Sequence, residues 1–103
     1  MATAAANTVY PHITKDAKVM GGRACIEGTR IRVMDIASLH EAGLKPEQML
    51  EEYPHLDLFQ VYAALVYYHD HKDEIVASFE ESARWVAEQE RRQAEELRRR
   101  SSR

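Results

Sequence analysis

Five potential metal ligands crowd into the stretch from His69 to Glu74, HDHKDE. Imidazole and carboxylate groups at this density are side chains that bind zinc and similar ions. The stretch belongs to a predicted helix, however, and residues two apart on a helix point about 200° away from one another. Only His69 and Asp73 would share a face, and two ligands are too few for a metal site. The sequence therefore favours a solvated helix end here, and we predict no metal site.

Nucleophilic chemistry has equally little support. Cys25 is the one cysteine of the chain, so no internal disulfide can form, which fits a reducing cytoplasm. There is no nucleophile motif, and Gly21-Gly22 is too short a signal for a phosphate-binding loop. We expect a cytoplasmic protein that is not an enzyme, has no catalytic residue or cofactor, and works by binding.

The remaining chemistry belongs to arginine, whose guanidinium group binds phosphates and carboxylates. Arg30 and Arg32 lie in or beside the segment GTRI (residues 28–31), where they could contact phosphates or pair with nearby acids. At the other end, we expect Arg98, Arg99, Arg100 and Arg103 to stand free of any acid. Both an interaction arm and a solvated helix end, where arginine suits the helix dipole, are consistent with that run.

Charge is distributed unevenly along the 103 residues, whose formal net charge is −3. Residues 1–74 carry 7 Lys and Arg against 11 Asp and Glu, whereas residues 75–103 carry 7 against 6. An acidic body argues against strong non-specific binding to polyanions. No apolar run is long enough to span a bilayer. Residues 1–8, MATAAANT, lack the features of a signal peptide, and we expect an unstructured leader there.

The elements that position these groups centre on residues 45–71, which we predict to form a short helix, a tight turn and a longer helix. Pro46 suits a first helical turn, Pro54 ends the first helix, and Asp57 can cap the second. Two helices joined by about three residues have the outline of a helix-turn-helix. The apolar positions at spacings of three and four are Met49, Leu50 and Tyr53, then Leu58, Val61, Tyr62, Leu65 and Tyr68.

The preceding part of the chain predicts a small β element and one more helix. Residues 9–13 form a candidate strand that Pro11 would confine to a sheet edge. Residues 24–33 suggest a hairpin whose turn contains Gly28. A helix is expected over residues 35–42.

Residues 73–100 contain no proline or glycine and are predicted to form one long helix. After Ala87 its apolar content nearly vanishes, so its distal half needs something to pack on, and we favour a partner. The apolar stripe predicted for this helix consists of Val76, Phe79, Ala83, Val86, Ala94 and Leu97.

Several segments together resemble the domain-of-unknown-function 433 (DUF433) family, small prokaryotic proteins regarded as VapB-type antitoxins. The resemblance runs from Ile13 to Ile75 and depends on an ordered succession of pieces. These are Gly21-Gly22-Arg23-Ala24-Cys25-Ile26, Gly28-Thr29-Arg30-Ile31, Gly43-Leu44, Pro46-Glu47, Tyr53-Pro54-His55-Leu56 and Gln60-Val61-Tyr62-Ala63-Ala64-Leu65.

The resemblance implies a helix-turn-helix fold and a role in a toxin–antitoxin pair whose toxin is a PIN-like, metal-dependent ribonuclease. We therefore expect a mainly α protein with a small N-terminal β element, a three-helix helix-turn-helix of homeodomain-like or winged-helix-like type, and a long C-terminal helix. Its divisions would be a leader (1–8), a DNA-binding domain (9–74) and a toxin-binding helix with a basic tail (75–103). The protein would bind and inhibit the toxin through its C-terminal helix and repress its own operon through the helix-turn-helix. The alternative is a dimeric DNA-binding repressor without a toxin partner.

Two sets of candidate site residues follow from this interpretation. Gln60 is the best base reader, since its amide can pair with adenine, and the DNA-binding set is Arg30, Arg32, Lys45, Asp57 and Gln60. Apolar anchors and cations on the long helix would bind and inhibit the ribonuclease. This toxin-binding set is Phe79, Trp85, Val86, Leu97, Arg98, Arg99 and Arg100. The expected assembly is a homodimer or a toxin–antitoxin hetero-oligomer that also binds operator DNA.

Overall fold

The computed structural model describes residues 6–7 and 10–102, and in this part of the chain three short strands and a short 3-10 helix (Met20–Gly22) precede four α-helices. The strands are β1 (Ala6–Asn7), β2 (Ile13–Lys15) and β3 (Cys25–Ile26). The helices are α1 (Val33–Glu41), α2 (Pro46–Glu52), α3 (Leu58–Asp70) and α4 (Lys72–Ser101). The predicted architecture is confirmed: mainly helical, with a small N-terminal sheet and a long C-terminal helix.

The sheet is antiparallel, with β2 between β1 and β3. Ile13 pairs with Ile26, and both side chains are buried. The predicted strand over residues 9–13 was placed too early, because Pro11 and His12 form a turn and β2 begins only at Ile13. Val9 and most of the predicted leader lie outside the described residues, but residues 6–7 form β1 rather than part of an unstructured leader.

The predicted turn at Gly28 is present, but the hairpin is shorter than expected. Gly28 has a φ of 79°, a conformation that glycine adopts without steric cost. The backbone N–H of Thr29 donates to the carbonyl of Ile26 at 3.0 Å and closes the turn. On the return side only one bridge, between Cys25 and Arg32, extends the pairing before α1 begins.

Helices α1, α2 and α3 pack against one another, and α3 also packs against β2 and β3. As predicted, Pro46 occupies the first turn of α2, but five residues rather than three separate α2 from α3. Tyr62 was predicted to face the core and instead exposes 48% of its surface, whereas Tyr67 is buried. The buried apolar core consists of Ile13, Ala24, Ile26, Val33, Met34, Ile36, Ala37, Met49, Leu56, Val61, Ala64, Leu65, Tyr67, Tyr68 and Ile75.

Within the described residues no helix is both long enough and apolar enough to cross a membrane. In the same part of the chain, no three His, Cys, Asp or Glu side chains are grouped so that they could hold a metal ion.

Candidate protein-binding surfaces on helices α3 and α4

Asp57 and Gln60, both predicted to contact DNA, are engaged with each other's backbone at the start of α3. The Asp57 carboxylate accepts a hydrogen bond from the Gln60 N–H at 2.9 Å, and the Gln60 side-chain oxygen accepts one from the Asp57 N–H at 2.8 Å. This reciprocal arrangement is a capping box, which satisfies two otherwise unpaired donors at a helix start. Gln60 therefore has a structural role that its predicted role as a base reader did not include.

The cations predicted to contact phosphate have different surroundings. Arg32 is half-buried and donates through Nε and Nη2 to the carboxylate of Asp35, at 3.1 and 2.9 Å. The pKa of the Arg32 guanidinium is raised, chiefly by this hydrogen bonding to Asp35. Arg30 and Lys45 are exposed and form no salt bridge with any described residue. Of the predicted phosphate ligands, Arg32 is thus already neutralised by an acid.

The surface of the α2–α3 pair is acidic and apolar. Between residues 42 and 68 the chain has four exposed carboxylates, on Glu47, Glu51, Glu52 and Asp57, and one lysine. DNA binding depends on cations that neutralise phosphates, and the helix pair supplies few of them. Operon repression through α3 stays a prediction, and this surface gives it little electrostatic support.

Helix α4 has a first half that is fixed to the domain. Ile75 is buried and Phe79 is half-buried against the core. The hydroxyl of Tyr67 donates to Glu74 at 2.8 Å, and Lys15 forms a salt bridge with the same carboxylate at 3.0 Å. Phe79, predicted as an anchor for a partner, therefore serves the fold of its own domain.

The predicted apolar stripe of α4 began at the wrong residue, which rotated the inferred face around the helix. Val76, which began that stripe, exposes 43% of its surface, whereas its neighbour Ile75 is buried. One residue turns a helix by about 100°, so choosing the wrong neighbour rotates the inferred face substantially. The face that contacts the domain passes through Ile75, Phe79 and Ser82.

Continued at spacings of three and four, this face runs from Ile75 to Leu97, over most of α4, and we call it the α4 seam. Fifteen of the 30 residues of α4 are charged, but none of the seam residues is. Its first part is buried or half-buried, while Val86 and Leu97 expose 47% and 55% of their surfaces. The seam residues are Ile75, Phe79, Ser82, Val86, Gln89, Gln93 and Leu97.

An open groove lies where the seam leaves the domain. Its volume is about 630 Å³, and Trp85 at its edge is 65% exposed. The ion pair between Arg23 and Glu81 ties α4 to the loop after the Gly21-Gly22 turn. The residues that line the groove are Gly21, Arg23, Arg32, Glu81, Ser82, Trp85 and Val86.

Among the described residues beyond Val86, salt bridges form only within α4 itself. Glu88 pairs with Arg91 and Arg92, and hydrogen bonds from these two arginines hold the pKa of the Glu88 carboxyl below its ordinary value. Glu96 pairs with Arg99 and with Arg100. The expectation that these two arginines stand free of any acid is therefore wrong, because Glu96 lies three and four residues before them. Arg99 and Arg100 remain largely exposed, so the carboxylates of a binding partner can compete with Glu96 for their guanidinium groups.

Comparison with known proteins assigns the body of the chain to a family. The model of "Protein of unknown function (DUF433)" matches residues 13–68, more than half of the chain. The chain belongs to the DUF433 family. The uncharacterized protein y4eO of Sinorhizobium fredii is 36% identical over 55 residues, which are 53% of this chain and 25% of y4eO. The chain thus matches only about a quarter of that relative.

A solved structure of a DUF433 member supports the fold. The crystal structure of the Anabaena variabilis protein, at 2.00 Å resolution, superposes with a TM-score of 0.61 and 30% sequence identity. The match covers 65% of this chain and 66% of the other. The DUF433 region ends at residue 68, so α4 lies outside it and the seam is a feature of this chain's own C-terminal part.

Sequence reasoning missed two parts of these surfaces. Gln89 and Gln93 were not predicted, because the sequence pattern was searched for apolar residues alone. A search for uncharged positions at helical spacing would have found them, since half of the residues of α4 are charged. On α3, Phe59 and Val66 expose 76% and 51% of their surfaces. These two residues are seven apart with Tyr62 between them, a helical spacing from which a second apolar face of α3 could have been predicted.

Proposed function

We propose that this DUF433 protein is the antitoxin of a toxin–antitoxin pair and that its α4 seam binds the toxin, a PIN-like ribonuclease. The observation that carries the proposal is the continuity of the seam from the domain core onto exposed helix. A face that is uncharged from Ile75 to Leu97, on a helix whose residues are half charged, indicates contact along that stretch. The domain covers only the first half, so the rest is left for a partner.

Geometry favours a helix-in-groove mode of binding. At a rise of about 1.5 Å per residue, the 30 residues of α4 extend for about 45 Å, well beyond the three packed helices. Glu88 and Glu96 form salt bridges with arginines three and four residues later within the distal half, and pairs at this spacing favour the helix. The partner then receives a partly preformed helix, which lowers the entropic cost of binding.

Apolar side chains of α4 would bind the toxin, and the arginines at its end would inhibit it. Trp85 beside its groove, with Val86 and Leu97 on the seam, supplies the large apolar side chains that usually dominate interface energies. Arg98, Arg99 and Arg100 lie at the end of the same helix. The active site of a metal-dependent nuclease is rich in carboxylates, and guanidinium groups can enter such a site in place of the metal's charge. The class of the toxin rests on the resemblance described above.

The competing function is a repressor in which α4 joins two copies of this chain. The seam alone suits either partner, since two identical helices can also pack through uncharged faces. Acidity of the α2–α3 surface favours the antitoxin over the repressor, because a repressor's only task is to bind DNA.

Co-expression with the product of the neighbouring gene, followed by affinity capture of this chain, tests the proposal. The expected result is a stoichiometric complex with a small nuclease that survives purification of the wild type. Leu97→Ser should weaken the complex, while Glu95→Ser, which alters a charged residue on the opposite side of α4, should not. Recovery of the chain without any nuclease, from cells that express both, would support the repressor instead.

A further inference from the structure

Helices α3 and α4 are separated by a single residue, His71. The N–H of His71 donates to the carbonyl of Tyr67 at 2.9 Å, and the carbonyl of His71 accepts from the N–H of Ile75 at 3.1 Å. Both bonds join residues four apart, which is the spacing of an α-helix. The helical pattern therefore reaches His71 and begins again from it, and the bend consists of this one residue, with a φ of −131° and a ψ of 46°.

The sequence around the bend contains none of the signals that usually end a helix. Residues 58–103 include no proline and no glycine, and neither glycine nor asparagine follows the end of α3. Within the described residues, the His71 side chain accepts no hydrogen bond from the start of α4. A bend at this point leaves N–H and C=O groups at two helix ends without helical partners. The local sequence thus favours one continuous helix over residues 58–101.

Contacts between α4 and the body of the domain impose the bend instead. Ile75 is 2% exposed and belongs to the core. Glu74 accepts a hydrogen bond from the hydroxyl of Tyr67 at 2.8 Å and forms a salt bridge with Lys15 at 3.0 Å. The surface that receives these side chains is complementary to the first half of α4, and it would bind the same segment of a second copy equally well.

We propose that two copies of this chain exchange their α4 helices and form a domain-swapped dimer. In the dimer, α3 and α4 of each copy form one straight helix, and Glu74, Ile75 and Phe79 pack on the other copy's domain. These contacts are the same in monomer and dimer, whereas the dimer also gains the helical hydrogen bonds that the bend at His71 interrupts. A very short connection between two packed elements favours exchange of this kind.

The exchange is independent of the proposed antitoxin function. Val86 and Leu97 lie beyond the part of α4 that packs on the domain, so the exposed half of the seam is free in monomer and dimer alike. A swapped dimer would present two such seams on one particle, which suits bivalent binding. It also joins two copies through the buried half of α4, whereas a repressor that dimerises along the seam would use the exposed half.

Sedimentation equilibrium tests the exchange, after incubation at high protein concentration just below the melting temperature so that α4 can leave its domain. The wild type should form a dimer, and Lys72→Pro should raise the dimer dissociation constant by about a hundredfold or more, because proline disrupts a continuous helix. The bent monomer tolerates this proline, since Lys72 is the first residue of α4 and His71 lies outside the helical conformation.

Lys72→Ala is the matched control for the proline variant. It removes the same exposed side chain but favours the helix, so it should dimerise at least as well as the wild type. His71→Gly is a second hinge variant, and its flexibility should weaken the dimer in the same direction as Lys72→Pro. Circular dichroism of each variant verifies that the monomer is folded.

A cross-link between Arg23→Cys and Glu81→Cys distinguishes exchange from any other dimer. The two positions form an ion pair between the domain and α4, so they belong to one chain in the monomer and to different chains in the swapped dimer. A short bismaleimide should therefore leave single chains in the monomer fraction and covalent dimers in the dimer fraction under denaturing conditions; the native Cys25 is buried.

Three results would overturn the proposal. The first is a wild type that stays monomeric after the incubation. The second is a cross-linked dimer fraction whose chains separate under denaturing conditions. The third is dimerisation of Lys72→Pro and His71→Gly with the wild-type dissociation constant, because a dimer that needs no continuous helix does not exchange α4 in the way proposed.

Discussion

Asp57 and Gln60 close the start of α3 by accepting each other's backbone N–H groups, at 2.9 and 2.8 Å. The pair was expected to face DNA, and its geometry shows that both side chains cap the helix itself. The structural and DNA-reading roles of Gln60 can be separated with Gln60→Glu. A glutamate oxygen can still accept the hydrogen bond of the cap, but glutamate lacks the amide N–H that would donate to a base.

Gln60→Ala should lower the free energy of unfolding by about 0.5–2 kcal/mol, since it leaves the N–H of Asp57 without its acceptor. Gln60→Glu should retain most of the stability, because the carboxylate oxygen can replace the amide oxygen. Urea denaturation of both variants and the wild type makes the comparison. If Gln60→Ala unfolds at the wild-type urea concentration, the capping box contributes nothing measurable.

The same two variants test DNA reading by α3. A glutamine that pairs with adenine contributes about 1–3 kcal/mol of specificity, so both variants would lose operator affinity at fixed salt if Gln60 reads a base. The acidic and apolar surface leads us to expect no such loss. A large, sequence-specific loss in Gln60→Glu, whose fold is intact, would restore the repressor interpretation.

Gly28→Val should destabilise the turn after β3 by about 1–3 kcal/mol, because its φ of 79° is strained for any β-branched residue. A Cβ at this position meets no atom within 4 Å, so the cost comes from the backbone conformation rather than from a clash. Gly28→Asn is the matched control, since asparagine tolerates this conformation better. Differential scanning calorimetry should rank the wild type highest, Gly28→Asn next and Gly28→Val lowest. Equal melting temperatures for the two variants would be evidence against conformational strain.

Stability should fall in alkaline solution because Tyr67 must stay protonated in the folded protein. Burial, and secondly the hydrogen bond to Glu74, raise the pKa of the Tyr67 hydroxyl above its ordinary value of 10.0. This contribution is fully present below the unfolded pKa and is lost as pH rises through the folded one. Thermal unfolding followed from about pH 8 to about pH 11 should show a steeper loss in the wild type than in Tyr67→Phe. Tyr62→Phe, which removes a hydroxyl from an exposed ring, should behave as the wild type.

How far the sequence predicts this structure depends on whether a feature is local. Pro46, Pro54 and Gly28 act through their own backbone, and the elements that they delimit are found close to where they were expected. The burial of Tyr67 rather than Tyr62 depends on where α3 lies against α1 and the sheet, and the spacing of apolar residues does not contain that information. The domain's size, which a helical pattern cannot reveal, determines where α4 passes from buried to exposed.

The candidate sites also differ in whether the sequence alone could predict them. Trp85, Val86 and Leu97 are exposed on α4, and their role as anchors for a toxin stays a prediction. The salt bridges of Arg32 with Asp35 and of Arg99 with Glu96 connect residues three apart, a helical spacing that the sequence already contained. The Arg32 pair realises the predicted alternative that this arginine pairs with a nearby acid, whereas the pairing of Arg99 with Glu96 was not predicted.

The arginines at the end of α4 should contribute more to inhibition than to binding. The triple variant Arg98→Gln, Arg99→Gln, Arg100→Gln should still form the complex but leave residual ribonuclease activity at saturating concentration. The control variant Arg91→Gln, Arg92→Gln removes two cations that pair with Glu88 and lie away from the helix end. Complete inhibition by the triple variant would favour simple steric blocking by the helix.

Inhibition of the partner ribonuclease by seam variants tests the central claim most directly. The concentration of this chain that halves the cleavage rate would be measured for the wild type, for Val86→Ser with Leu97→Ser, and for Glu95→Ser. If the α4 seam binds the toxin, the double variant should need about tenfold more protein or worse, because it removes two apolar anchors, while Glu95→Ser should match the wild type. Equal inhibition by all three proteins would contradict a role for the seam in binding the toxin.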